Sequence, residues 1–191
     1  MTVWSRRQHP GQAQDAAPLA DSAMLARHFL GGWTEDFFVS GYAQGDGRLS
    51  DLLNARRPVH VTEPKVRGTR AGGWPARPNA EITIDPFDFE LVLGHALNSA
   101  WQPVAQARRI HKVRYPVRVR GDGFDLTGTI HLFAGNSPEH AFHRTGQLFL
   151  PITGAVVRRD GRLVSDRFTD VVLVNRYAIR TIQQLDSPVV H

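Results

Sequence analysis

Alternation of apolar and polar residues is sharpest at VRYPVRVR, residues 113–120. Val117 and Val119 fall on one face of an extended chain there, and the arginines fall on the other. After the turn residues GDG at 121–123, the stretch FDLTGTIHLF at 124–133 alternates in the same way. The two stretches therefore predict an antiparallel hairpin with one buried face and one face in water.

The plan of the first half of the chain recurs about ninety residues later. The matched segments are VSGYA (39–43) with LTGTI (126–130), PVHVTEPKVR (58–67) with LFLPITGAVVR (148–158), and FELVLGHAL (89–97) with TDVVLVNRYAI (169–179). A short helix is predicted after the first segment of each copy, near 48–54 and near 137–144. Repetition of a whole plan indicates two diverged copies of one small barrel unit. We place the units at 32–104 and 105–191.

The first thirty-one residues stand outside this repeat. Residues 1–17 are rich in Gln, Ala, Pro and Gly without periodicity, which predicts a mobile tail. PLADSAMLARHFL at 18–30 has apolar residues near helical spacing before Gly31 and Gly32, which predicts a helix that ends at the glycines. We expect this helix to pack on the first unit, with docking to another protein as the alternative.

Composition and charge narrow the class of protein. The net charge of +5 is uneven: residues 1–31 carry +1, residues 32–104 carry −2, and residues 105–191 carry +6. There is no cysteine, so disulfides and cysteine-bound zinc are excluded. We see neither a long apolar run nor the apolar core of a signal peptide, and we expect a cytoplasmic protein without a membrane segment.

Two basic features are candidates for binding. The first is the polar face of the strand at 113–120, where arginines follow one another along one side and phosphates could bind. The second is the loop VRGTRAGGWPARP at 66–78, in which arginines surround Trp74. Arginine beside an exposed tryptophan can stack on bases or anchor a protein partner. The alternatives are a solvated outer face and a tryptophan that covers the end of a barrel.

Two family resemblances rest on particular letters. VRVRGDGFDLTGTIHLF, followed by VVLVNRYAI, resembles the two-part pattern of Sm-like and SH3-like small barrels over roughly residues 113–185. This resemblance implies a small β-barrel for that part of the chain. Together with the repeat and the predicted N-terminal helix, it leads us to expect a mainly β fold of two Sm/SH3-like barrel units in tandem, each with a short helix, plus the N-terminal helix. RLSDLLN at 48–54, with VLVN at 172–175, is similar to a group of bacterial small domains with an R-L-S-D-x-L-N signature. That group implies no known activity.

RNA binding is what the Sm-like resemblance implies for function. Sm-like proteins contact bases with an aspartate and an asparagine after the second strand and with an arginine-containing pair before the last strand. In this chain Asn136 and the pair Asn175 and Arg176 occupy the corresponding places.

Sites for metal binding or catalysis have weaker support. His140 and His143 lie three apart beside Glu139 on the predicted helix, which would put both imidazoles on one face, with His131 nearby. Solvent-facing polar residues explain the same letters, and we predict no metal. The carboxylates of DPFDFE at 85–90 could serve acid-base chemistry, but a turn capped by an aspartate explains them too. The sequence contains no nucleophile elbow, phosphate loop or dinucleotide fingerprint.

We therefore expect a non-catalytic scaffold or protein-interaction module without a cofactor, which binds a protein partner or a second copy of itself. The alternative is nucleic-acid binding, RNA in particular, by the basic C-terminal unit. The residues that one or the other function would use are Arg67, Arg70, Trp74, Arg77, Arg114, Arg118, Arg120, Asn136, Asn175 and Arg176.

Overall fold

The computed structural model describes residues 26–68, 81–94, 112–144, 146–165 and 171–186. In these ranges eleven strands form one antiparallel sheet, accompanied by two short α-helices. The fold is mainly β, as the alternating pattern predicts.

The elements of the first half are β1 (Ala26–Trp33), β2 (Phe37–Gly45), α1 (Leu49–Asn54), β3 (Val59–Gly68), β4 (Glu81–Ile84), the 3₁₀ turn η1 (Pro86–Asp88) and β5 (Leu91–Gly94). Those of the second half are β6 (Lys112–Gly121), β7 (Phe124–Phe133), α2 (Pro138–Arg144), β8 (Phe149–Arg159), β9 (Arg162–Leu163), β10 (Val171–Asn175), the 3₁₀ turn η2 (Arg176–Ala178) and β11 (Ile179–Gln184). The predicted hairpin is confirmed, since β6 pairs with β7 along its whole length.

The order of neighbouring strands is β11-β6-β7-β8-β10-β5-β1-β2-β3-β4, with β9 beside β8. Within each half, the last strand lies next to the first, and the others follow in chain order. The halves meet where β10 pairs with β5. The prediction of two closed barrels is not supported. In the described part of the chain the sheet is continuous and open, with β4 and β11 at its two ends.

Gly41 and Gly128 occupy the same place in the two halves, as the aligned segments predict. The register of the second strand against the third shifts at each of them. A Cβ atom on Gly41 would lie 2.6 Å from the Val61 side chain, and one on Gly128 would lie 2.6 Å from Ile152. Only glycine therefore lets the third strand cross this closely and bend over the core.

The prediction of an N-terminal helix is wrong where it can be compared. Residues 26–30, the last part of the predicted helix, belong to β1, which pairs with β2 on one side and with β5 on the other. The apolar spacing there also fits a strand, and Leu30 is completely buried. Two ladders of backbone hydrogen bonds outweigh a weak local preference for helix. The remainder of that helix and the tail at 1–17 lie outside the described residues.

The third pair of matched segments is also wrong. FELVLGHAL contains β5 and TDVVLVNRYAI contains β10, but these two strands are neighbours in the sheet and do not hold equivalent places. By position, β10 is the counterpart of β4, because each lies beside the third long strand of its half and is followed by a 3₁₀ turn. Similarly, β11 is the counterpart of β5.

Two clusters of buried side chains form the core, and each draws on both halves. Trp33, Leu91 and Leu93 of the first half belong to the cluster formed mainly by the second half. Conversely, Leu148, Phe149 and Leu173 belong to the cluster formed mainly by the first. Buried apolar side chains therefore continue across the boundary between the halves.

Candidate functional site

The junction between the halves presents an aromatic corner to solvent. Phe87 of η1 and Tyr177 of η2 stack with ring centroids 6.1 Å apart, although 47% and 62% of their surfaces remain exposed. The Arg176 guanidinium lies over the Tyr177 ring, 4.6 Å from its centroid, and donates a hydrogen bond to the phenol oxygen at 2.5 Å. This bond lowers the pKa of Tyr177 below its ordinary value. Arg176, a predicted binding residue, is thus part of the aromatic corner.

Asn175 holds this corner in place from below. Its side-chain nitrogen donates to the carbonyl oxygens of Phe87 at 3.2 Å and Phe89 at 2.8 Å, and its side-chain oxygen accepts from the Tyr177 backbone N–H at 3.0 Å. Only 2% of the residue is exposed. Its role is therefore to join the two turns, and its amide is turned away from solvent. Asn136, the other predicted asparagine, is exposed in the turn between β7 and α2.

A cavity of about 540 Å³ opens beside η2, between α2 and β11. Its walls are Glu139, Phe142, Arg176, Tyr177, Ile179, Arg180, Thr181 and Ile182. Phe142 is buried, whereas Ile179 and Ile182 are half-buried and belong to the core only in part. The cavity therefore offers apolar side chains next to charged groups of both signs.

The cavity borders a strand edge that is open among the described residues, where β11 pairs only with β6. Leu185, directly after β11, donates its N–H to the Pro116 carbonyl oxygen at 2.8 Å. Backbone groups along a strand point alternately to its two sides. The N–H groups of Ile182 and Gln184 therefore point away from β6. At the other end of the sheet, β4 pairs only with β3 within the described ranges.

The basic face predicted on β6 exists, and one acid partly neutralises it. Arg118 donates three hydrogen bonds to Asp125, the shortest at 2.5 Å, and Arg120 lies 3.4 Å from the same carboxylate. The hydrogen bonds from Arg118 hold the pKa of Asp125 below its ordinary value. Arg114 is exposed, and Arg158 lies opposite Asp125 on β8.

Further along the same face, Lys112 lies over the ring of Phe133, 5.5 Å from its centroid. His131 is directly opposite Arg114, and its ring donates to or accepts from the Thr153 hydroxyl at 2.8 Å. Burial lowers the pKa of His131, and the positive charges of Arg114 and Lys112 lower it further. Two cationic side chains therefore lie close to this ring.

Of the candidate residues in the arginine-rich loop at 66–78, only Arg67 belongs to the described part of the chain. Arg67 is exposed near the end of β3, opposite Phe38. Arg70, Trp74 and Arg77 lie outside the described residues.

Two of the three carboxylates of DPFDFE, Asp85 and Glu90, have structural partners. Asp85 caps η1 by accepting the Phe87 N–H at 2.9 Å, as the turn interpretation predicts. Glu90 forms an ion pair with Arg159 at 2.5 Å. Asp88, the remaining carboxylate, is exposed in the first turn of η1.

The predicted histidines are likewise accounted for as far as they are described. His140 is exposed on α2, and the side chain of His143 lies outside the described part of the structure. No group of three His, Asp or Glu side chains among the described residues could hold a metal ion.

Sequence reasoning missed the aromatic corner and the two strand edges. A signal for the corner exists: DPF at 85–87 and NRY at 175–177 both place an Asx residue two positions before an aromatic one. The edges leave no such signal, because strand neighbours are set by the whole topology.

Comparisons with protein-family models, with curated proteins and with solved structures found no match. The resemblances to Sm-like barrels and to the R-L-S-D-x-L-N group stay predictions. No helix in the described ranges is long and apolar enough to cross a lipid bilayer.

Proposed function

We propose that this chain is a non-catalytic protein-interaction module that binds extended polypeptide segments at the strand edges that are open among the described residues. The observation that carries the proposal is the edge of β11, where outward N–H groups adjoin a cavity lined by apolar and charged side chains. In β-strand addition, backbone hydrogen bonds supply affinity, and pockets for alternate side chains supply specificity. β11 and the cavity beside α2 place both parts next to each other.

We also propose that the two halves are diverged copies of one small-barrel unit, fused at β5 and β10. Equal strand order, a register shift at Gly41 and Gly128, and a 3₁₀ turn before the last strand of each half support this proposal. Fusion of such units leaves β4 and β11 paired on one side only among the described residues, and an interaction module can use the other side.

Selection from a displayed library of random peptides tests the binding proposal. Peptides retained by the wild-type protein are expected to bind Gln184→Pro at least tenfold more weakly, because proline removes an outward donor while β6 keeps its own bonds. Gln184→Ala keeps the donor and is expected to bind like the wild type. Failure to enrich any peptide, or equal affinity for all three proteins, would refute edge binding.

Nucleic-acid binding remains the second candidate, supported by the exposed cations that lie together on the basic face. Lys112, Arg114, Arg118, Arg120 and Arg158 oppose a single acid, Asp125, on this side of β6, β7 and β8. The exposed ring of Phe133, 49% of whose surface is accessible, would allow one base to stack.

Fluorescence anisotropy with labelled single-stranded RNA tests this second candidate. The variant Lys112→Gln/Arg114→Gln leaves the Asp125 contacts intact and is expected to reduce the slope of log affinity against log salt by about two. Arg57→Gln/Lys65→Gln removes two exposed cations of the first half and serves as the matched control. Equal slopes for both variants, or absence of binding at low salt, would remove this candidate.

A further inference from the structure

The junction between the halves is a strand pairing with a defined register. Val171, Val172, Leu173 and Val174 of β10 lie opposite Gly94, Leu93, Val92 and Leu91 of β5. The Asn175 N–H extends the ladder by donating to the Glu90 carbonyl oxygen at 3.0 Å. By alternation, the backbone groups of Val92 and Gly94 face β10.

The two strands with one open side in the described ranges, β4 and β11, are the counterparts of the two strands that meet in this junction. β4 holds the place of β10, and β11 holds the place of β5, because strand order and 3₁₀ turns repeat between the halves. The same backbone groups are available: Ile182 and Gln184 of β11 point outward, as Val92 and Gly94 of β5 point toward β10. Besides the β5 and β10 pair, each chain therefore carries one equivalent of β10, which is β4, and one equivalent of β5, which is β11.

We propose that a second copy of this chain pairs its β4 with β11 of the first copy and so reproduces the internal junction between molecules. The expected register places Glu81, Ile82, Thr83 and Ile84 opposite Gln184, Gln183, Ile182 and Thr181. This inference rests on the proposed function, since it assigns the partner of the same strand edges.

Side chains around the edges fit this arrangement. Tyr177 of one copy would stack on Phe87 of the next, as these two rings do within one chain, and each ring retains exposed surface for a second contact. Neither EITI of β4 nor IRTIQQ of β11 contains a proline or a lysine, two residues that commonly protect edges from pairing. Each strand has one charged residue, Glu81 or Arg180, and the register shift of β11 lies between Ile179 and Thr181, outside the residues expected to pair. Ile179 and Ile182, half-buried in the free chain, would be covered.

One difference makes the intermolecular junction weaker than the internal one. Asn175 donates two hydrogen bonds across the internal junction, to Phe87 and Phe89. Its counterpart at the free edge is Asp85, whose carboxylate cannot donate and would meet the carbonyl oxygens of Tyr177 and Ile179. The association is therefore reversible and rises with protein concentration. Asp85→Asn supplies the missing donor while keeping the oxygen that caps η1.

The pairing is head-to-tail, since each copy uses β4 on one side and β11 on the other. Such a contact repeats until the rotation between copies closes a ring, or it continues as a filament. The mass is therefore expected to rise beyond that of a dimer.

Sedimentation velocity over a concentration series tests the proposal. The wild type is expected to exceed the monomer mass of 21.3 kDa at high concentration. Asp85→Asn is expected to associate about tenfold more tightly, and Gln184→Pro is expected to stay monomeric while Gln184→Ala behaves like the wild type. The proposal would be overturned if both the wild type and Asp85→Asn were monomeric at all concentrations. It would also be overturned if Gln184→Pro associated as strongly as the wild type.

Disulfide trapping tests the register, because the chain has no cysteine of its own. Glu81→Cys mixed with Gln184→Cys is expected to form a mixed disulfide, since opposed residues lie about 5.5 Å apart between Cα atoms. Glu81→Cys mixed with Thr181→Cys, displaced by about 10 Å along the strand, is expected to remain unlinked. Equal yields from the two mixtures would overturn the register.

The two levels of inference fail separately. A monomeric protein that still selects peptides sensitive to Gln184→Pro would refute self-pairing and leave edge binding intact. A monomeric protein that selects none would refute both.

Discussion

Asn175 shows how one side chain can determine the position of a surface. Its amide satisfies two carbonyl oxygens and one N–H of the turns η1 and η2, all at a buried site. In the sequence this polar residue is visible only as the end of the apolar run VVLV. The sequence analysis predicted a binding residue here, and in the structure the side chain joins the two turns.

Replacement of this amide is expected to be costly. Asn175→Ala leaves one buried and two part-buried backbone groups without their partner, and we expect a loss of about 2–3 kcal/mol in the free energy of unfolding. Urea denaturation measures the change. Asn136→Ala, at an exposed turn position, is the matched control and is expected to change stability by less than about 0.5 kcal/mol. Similar losses for both variants would contradict the bridging role.

Asp125 predicts how stability depends on pH. The hydrogen bonds from Arg118 depress its pKa in the folded protein, so its contribution is present above the unfolded value of about 3.9 and is lost as pH falls through the folded pKa. Asp125→Asn is expected to lose less than about 1 kcal/mol at neutral pH, because the site is partly solvated. Its stability should also fall less steeply in acid than that of the wild type.

Urea titrations between about pH 5 and pH 2 measure this slope. Asp46→Asn, in the exposed turn after β2, is the control and should follow the wild type. An unchanged acid slope in Asp125→Asn would show that the Arg118 contact does not stabilise the fold.

At the scale of elements, the second half was predicted better than the first. β6 and β7 alternate without interruption, and their pairing needs only a tight turn, so local sequence determines them. β1 failed because ARHFLGGW supports both a helix end and a strand, and only pairing with β2 and β5 decides between them. β5 and β10 were matched to each other because both are short apolar runs, which hold no information on position.

The bend of β7 at Gly128 requires a residue without a Cβ atom. A methyl group there would press on Ile152 and on the Thr153 carbonyl oxygen, 2.6 and 3.1 Å away. Gly128→Ala is therefore expected to lose about 1–3 kcal/mol in the free energy of unfolding. Thermal or urea unfolding measures it. Gly146→Ala, where a Cβ atom meets nothing within 4 Å, should be nearly neutral, and equal losses would rule out crowding as the cause.

For the whole molecule, the ion pair of Glu90 and Arg159 connects the halves. The two side chains are only 17% and 10% exposed, and Arg159 also donates to the Thr34 carbonyl oxygen at 3.4 Å. No local pattern predicts this pair, because its members are far apart in the chain and meet only through the β5 and β10 junction. Long-range pairing is the part of the fold that alternation and turn residues leave undetermined.

Loss of one partner in this pair leaves a charge with little access to water. Glu90→Gln is expected to lose about 2–3 kcal/mol in the free energy of unfolding. Asp122→Asn breaks the exposed pair with Arg180 and should leave stability nearly unchanged. Urea denaturation of both variants makes the comparison, and a small effect of Glu90→Gln would show that the halves are joined by strand pairing and apolar packing alone.

The sharing of side chains between the two cores bears on how the protein folds as it is synthesised. The first half leaves the ribosome while Leu148, Phe149 and Leu173, which complete its core, have yet to be translated. One side of β5 also has no pairing partner until β10 is translated, and contacts between such distant segments are slow to form. The nascent chain therefore spends most of its synthesis with unfinished apolar surface, a state in which chaperones find their substrates.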